Sequence, residues 1–165
     1  VITVPIKIGL DVGGVLTDSL ANDSTDTSFR GDNFMLTSAV PGSFDAAREL
    51  VYRFGAENVF IISKCGDEIE RKTRLWLGGK RFYTQTGFLV GNLNFCRSRP
   101  EKAPIAARLG LTDFVDDRAD VLFHMRGIVE RRYLFGPQPG PATESGLIIT
   151  PTWRDVLHEV SLAAA

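Results

Sequence analysis

Ile6-Lys7-Ile8-Gly9-Leu10-Asp11-Val12-Gly13-Gly14-Val15-Leu16-Thr17 is the stretch whose reading decides the fold. A short apolar run closes on an acid and a glycine pair, the pattern of a buried strand that ends in a tight loop. The same punctuation recurs downstream: Val59-Phe60-Ile61-Ile62 ends at Ser63, and Thr112 to Val115 ends at Asp116-Asp117. Asn92 to Cys96 reads as another strand, and Arg132-Tyr133-Leu134-Phe135 as the last. Helical patterns lie between them. Phe44, Ala47, Leu50, Val51 and Phe54 share one face of a helix over 44–54, stopped by Gly55. Asp67 to Leu77 is closed by Gly78-Gly79, Glu101 to Leu109 stops at Gly110, a further helix runs to about Met125, and Trp153 to Val160 ends the series. Such alternation predicts right-handed crossovers and a parallel sheet covered by helices on both faces. Ligands of such sheets gather at the carboxyl ends of the strands, where Asp11, Ser63, Asp116 and Asp117 all fall.

The surroundings of this pattern narrow its meaning. With 165 residues the chain reads as one domain over 1–165, large enough for a full core without covalent staples. A 44% hydrophobic and 24% charged composition excludes a largely disordered chain. The net charge of −1 offers no footprint for nucleic acid or an anionic membrane. Cys65 and Cys96 make no disulfide framework, and no Cys/His cluster has zinc spacing. With no basic leader and no apolar run of membrane length, the expectation is a soluble cytoplasmic protein. Residues 18–40 turn polar and read as a long loop or small flap, and 136–146 as a stiff Pro/Gly-rich loop.

Asp11, Ser63, Lys102 and the pair Asp116-Asp117 complement one another chemically. Adjacent acids at the end of a buried strand repel and need a cation or hydrogen-bond donors. Magnesium asks for hard oxygen ligands, one or two carboxylates among them, and leaves room for a substrate phosphate. Asp11 and Asp117 supply such carboxylates, Ser63 a donor for a phosphoryl oxygen, and Lys102 a neutralising charge. Asp11 then stands as a carboxylate nucleophile towards phosphorus, with amides of the glycine loop at Gly13 and Gly14 beside the phosphate.

The order Asp11-Val12-Gly13-Gly14-Val15-Leu16-Thr17, Ile61-Ile62-Ser63, Lys102 and Phe114-Val115-Asp116-Asp117 resembles the four motifs of the haloacid dehalogenase superfamily. The likeness extends over nearly the whole chain, and Asp116-Asp117 with the following Arg118-Ala119-Asp120-Val121-Leu122 is its most specific part. In detail it is similar to the small-cap phosphatase and 5′-nucleotidase-like members. The resemblance implies a three-layer α/β/α sandwich with a minimal cap, and a Mg2+-dependent phosphohydrolase working through an aspartyl-phosphate on a small phosphorylated metabolite, such as a nucleotide. It makes Asp11 nucleophile and metal ligand, Ser63 phosphate donor, Lys102 charge clamp, and Asp117 the principal metal carboxylate with Asp116 beside it. The Gly13 carbonyl completes the metal site.

One departure is serious. Phosphatases of this group carry a second aspartate two residues after the nucleophile, which protonates the leaving oxygen and then activates water. Here that position is Gly13. General acid–base help is worth roughly 10²–10⁴-fold, so its loss weakens ordinary phosphomonoester hydrolysis. Asp18 and Asp120 are the nearby acids that could substitute. Two further readings follow: a catalytically inactive protein that keeps the metal and phosphate pocket for binding or regulation, and a dehalogenase-like hydrolase with an aspartate nucleophile. The first motif alone also resembles the phosphate loop of actin-like ATPases, but those folds need two large lobes. His124 and His158 read as structural, Cys65 as a pocket-edge residue, and Arg97 and Arg99 as loop charges. Trp76, Phe82 and Tyr83 read as core, with a homodimer contact as the alternative.

Overall fold

Six parallel strands lie in the order β3-β2-β1-β4-β5-β6: β1 Ile8–Leu10, β2 Val59–Lys64, β3 Leu93–Cys96, β4 Asp113–Asp116, β5 Arg131–Phe135 and β6 Ile148–Thr150. The helices are α1 Ser43–Phe54, α2 Asp67–Gly79, α3 Phe82–Thr86, α4 Lys102–Leu109, α5 Ala119–His124 and α6 Trp153–Ala164. This computed structural model describes residues 4–18, 29–142 and 144–165. The flap expected over 18–40 is therefore described only at its ends, and residues 19–28 of it, like residue 143 of the Pro/Gly loop, lie outside the described residues.

Period-2 alternation sorts the strand side chains into two cores. Ile8, Leu10, Val59, Ile61, Val115, Tyr133 and Phe135 point to the face covered by α1, α2, α3 and α6, packed on Leu50, Trp76, Phe82 and Trp153. Phe60, Ile62, Phe114 and Leu134 point to the other face, against Ala106, Leu122 and Met125 of α4 and α5. The result is the expected α/β/α sandwich, buried on both faces. Gly9 belongs to this packing: a Cβ there would meet the Phe114 ring at 2.5 Å and Leu111 at 2.6 Å.

Three local expectations need correction. Arg132 to Phe135 is not the last strand. The chain crosses the Pro/Gly loop and adds β6, whose three residues are too few to show a periodic signal. Gly78-Gly79 does not close α2 but forms its last turn, with Lys80 as the cap. Met35 occupies the space a Cβ on Gly79 would fill, 2.3 Å away, so that glycine serves packing rather than termination. Phe82 to Thr86 forms an unanticipated short helix after Arg81, which takes a left-handed conformation at φ 59°. Trp76 and Phe82 are fully buried, as the core reading expects. The mixed polarity of β3 also has a cause: Asn92 Nδ2 donates to the carbonyls of Ala56 and Val59, and Asn94 Nδ2 to that of Ile61.

No helix among the described residues is long and apolar enough to cross a membrane.

Candidate active site

β1 lies between β2 and β4, so the carboxyl ends of three neighbouring strands bring Asp11, Ser63 and Asp116 together. Asp11 leaves β1 with its amide donating to the Val115 carbonyl at 3.0 Å. The chain then curls tightly, the Val12 carbonyl accepting from Val15, Leu16 and Thr17. Trp153 Nε1 holds this turn from outside through the Val15 carbonyl, at 2.9 Å.

Lys102 opens α4 and is buried, at 2% exposure. Its Nζ donates to Asp11 Oδ1 at 2.7 Å and to Asp116 Oδ2 at 2.8 Å. Burial alone would pull the ammonium down, but the charges of Asp11 and Asp116 overcome this and hold it above its ordinary range. Asp116, fully buried, also accepts the Arg118 amide at Oδ1. Burial and then the charge of Asp11 raise its carboxyl well above the usual range. The same two causes raise Asp117 to about 6. Asp11, Asp116 and Asp117 each offer an oxygen within 4.8 Å of the others. One ammonium thus faces three carboxylates, and the surplus negative charge is what a hard dication would relieve. The residues present fit magnesium.

Above Asp11 opens a pocket of about 340 Å3. Asp11, Gly13, Ser63, Lys64 and Cys65 form its floor, and Ile69 and Thr73, one turn apart on α2, form a wall. Phe29, Arg30 and Thr37, from the described ends of the flap, line it too, as do Val12, Thr17 and Asp18. Lys102, Asp116 and Asp117 are not on its surface. Lys102 is linked to the pocket through its hydrogen bond to Asp11. Ser63 lies inside β2 rather than after it, and faces the pocket. Gly14 turns away: its amide donates to the Thr17 carbonyl at 2.8 Å, and the residue borders a separate, more apolar hollow with Pro41, Phe135 and Trp153.

A Cβ built on Gly13 meets nothing within 4 Å. The position of the second aspartate is open space. Of the two substitutes considered, Asp120 is tied at the surface to Arg118 at 3.1 Å and Arg99 at 3.5 Å. Asp18 does reach the pocket, its amide donating to the Ser38 carbonyl. Arg97 does not approach Asp11; it pairs with Asp67 and Glu70 and donates to the Cys65 carbonyl. Cys65 is free and buried, and burial pushes its thiol up, away from nucleophilic use.

Sequence reasoning passed over Arg30, Lys64, Thr73 and Lys72. Lys72 is buried and donates to the carbonyls of Arg30 at 3.3 Å and Gly31 at 3.1 Å, with Nζ 5.4 Å from the Phe34 ring centroid. Trp76 Nε1 donates to the Thr37 carbonyl at 2.9 Å. Only the one-turn spacing of Ile69, Thr73 and Trp76 hinted that α2 faces anything but core.

No family model matches the chain, and no curated protein matches it in sequence. Two solved structures share its architecture over nearly their whole length. The D,D-heptose 1,7-bisphosphate phosphatase of B. bronchiseptica, complexed with magnesium and phosphate, superposes with a TM-score of 0.67 at 17% identity, covering 97% of this chain and 100% of its own. A dehalogenase with an intermediate complex superposes with a TM-score of 0.64 at 12% identity, covering 95% of this chain and 98% of its own. The fold is the haloacid dehalogenase-like α/β fold.

Proposed function

We propose that this chain is a magnesium-dependent phosphohydrolase that uses Asp11 as a nucleophile on a small phosphorylated metabolite. The observation that carries the reading is Asp11 itself. It lies on the floor of a small pocket, its Oδ1 2.7 Å from a buried ammonium, with two further carboxylates behind it. Lys102 fixes one Asp11 carboxylate oxygen through its ammonium. Ser63 offers a hydroxyl to a phosphoryl oxygen. Asp11, Asp116, Asp117 and the Gly13 carbonyl would hold magnesium, which supplies charge neutralisation for phosphoryl oxygens. The phosphatase with the same fold, complexed with magnesium and phosphate, supports this chemistry by analogy.

Open space at Gly13 favours a second reading, a protein that binds metal and phosphate without turnover. A dehalogenase reading has a structural counterpart but leaves the cluster of Asp11, Asp116 and Asp117 without a task. Phosphate release from glycerol 3-phosphate with magnesium separates the readings. Slow turnover in the wild type, a gain in Gly13→Asp and none in Asp11→Asn are the expected results. Magnesium binding with no turnover in either the wild type or Gly13→Asp establishes the binder instead. Halide release from a haloacid that persists in chelator establishes the dehalogenase.

A further inference from the structure

Among the described residues, the pocket over Asp11 has no side chain at position 13, and two cations line it. Asp18 also lines the pocket and borders the apolar hollow of Pro41, Phe135 and Trp153. Arg30 and Lys64 both line the pocket, and neither forms an ion pair with a carboxylate among the described residues. The place of Arg30 is also built: the buried Lys72 ammonium grips the carbonyls of Arg30 and Gly31 from α2.

We infer that Arg30 and Lys64 form a cationic subsite for the leaving group, and that the substrates are phosphoric anhydrides, acyl phosphates or phosphoanhydrides, whose leaving group departs as a stable anion. This rests on the phosphohydrolase reading and deepens it. An alkoxide is too basic to leave a phosphorus centre unprotonated, and the position two residues after Asp11 is a glycine. A carboxylate or a phosphate leaves without a proton, and fixed positive charge at the point of departure stabilises it. An Asp11 carboxylate oxygen bonds to phosphorus while the bridging P–O bond breaks, its electron pair staying on the departing oxyanion between Arg30 and Lys64. Water then bonds to the same phosphorus, the P–O bond to Asp11 breaks with its pair returning to the carboxylate, and the proton from water leaves with inorganic phosphate.

The test measures kcat/KM with magnesium for acetyl phosphate, pyrophosphate and glycerol 3-phosphate, in the wild type, Gly13→Asp, Arg30→Ala and Lys64→Ala. Wild type should prefer at least one anhydride over the alkyl ester by roughly 10²-fold or more, the size of the missing acid contribution. Which anhydride leads identifies the departing anion as carboxylate or phosphate. Gly13→Asp should narrow the gap by raising turnover of glycerol 3-phosphate. Arg30→Ala and Lys64→Ala should each lower kcat/KM for the preferred anhydride roughly tenfold, the scale of a charge-assisted hydrogen bond, with magnesium affinity by calorimetry unchanged. Equal use of ester and anhydrides by the wild type overturns the inference alone, as does indifference to both cation removals. Absence of turnover on all three compounds, in the wild type and in Gly13→Asp alike, overturns the phosphohydrolase reading with it.

Discussion

Asp113 opens strand β4 and Asp116 closes it; both are fully buried, and their surroundings are opposite. Asp113 is saturated with donors: Arg131 reaches both its oxygens at 2.8 Å, Tyr133 donates to Oδ1 at 2.7 Å and Thr112 to Oδ2 at 2.5 Å. Burial, then the charge of Asp113, holds the Tyr133 hydroxyl protonated far above its usual range. At the other end of the strand Asp116 shares one lysine with Asp11 and has Asp117 beside it. The amino end of the sheet satisfies its carboxylate and is finished. The carboxyl end leaves negative charge in excess, and a surplus of that kind beside a pocket points to a cation and chemistry rather than to stability.

Substitutions at the two ends should separate these roles. The largest effect is expected at Asp11, where Asn should lower phosphate release by roughly three orders of magnitude or more, while the melting temperature in chelator stays level or rises as one of three clustered charges is removed. A large fall in that temperature instead would make Asp11 a structural acid like Asp113. Next comes Asp113→Asn, which strands Arg131 and Tyr133 and should cost about 3 kcal/mol in urea unfolding. Magnesium affinity should not move; if it does, the two ends are coupled through β4.

A smaller effect concerns pH. The Asp117 carboxyl is raised to about 6 when folded, against roughly 3.9 in an unfolded chain. Between those values the folded state binds more protons than the unfolded one, so this group makes the metal-free protein less stable as pH rises from about 4 to 6. Below that window the penalty is absent, and above it the penalty is full. Asp117→Asn should therefore raise stability in chelator at pH 7 by an amount on the order of 1–3 kcal/mol and make no difference near pH 4. Magnesium should stabilise the wild type most above pH 6 and the variant less, and thermal unfolding across pH with and without the ion checks both signs. The smallest effect is expected at Arg97, whose pairs with Asp67 and Glu70 are exposed. Arg97→Ala should leave the urea midpoint unchanged within error.

Much of this arrangement was legible beforehand because each strand announces its own end. Asp11, Ser63 and Asp116-Asp117 follow short, mostly apolar runs, and parallel topology sends such residues to one side. Lys102 was legible only through resemblance, since nothing about a lysine at the start of a helix predicts 2% exposure. Arg30 was hidden in a polar stretch without periodicity, and the contact that holds it comes from a lysine 42 residues away. The β6 strand and helix α3 are too short for a pattern. Gly79 misled for a different reason. A glycine makes room for a neighbour as readily as it ends a helix, and the neighbour, Met35, is distant in sequence.

Helix α2 has a consequence for how such a protein changes its substrate. Ile69 and Thr73 shape the pocket, while Lys72 and Trp76 moor the chain at Arg30, Gly31 and Thr37. On the other side Asp18 is moored through the Ser38 carbonyl. Both banks of the stretch 19–28 are thus anchored independently of its length, and doubling a loop between fixed ends costs only about 0.6 kcal/mol. These anchors do not involve that stretch, so changes to its sequence leave the contacts of Asp11 and Lys102 in place. Sequence can thus vary beside an unchanged reaction centre, with α2 holding the chain that follows at Arg30, Gly31 and Thr37.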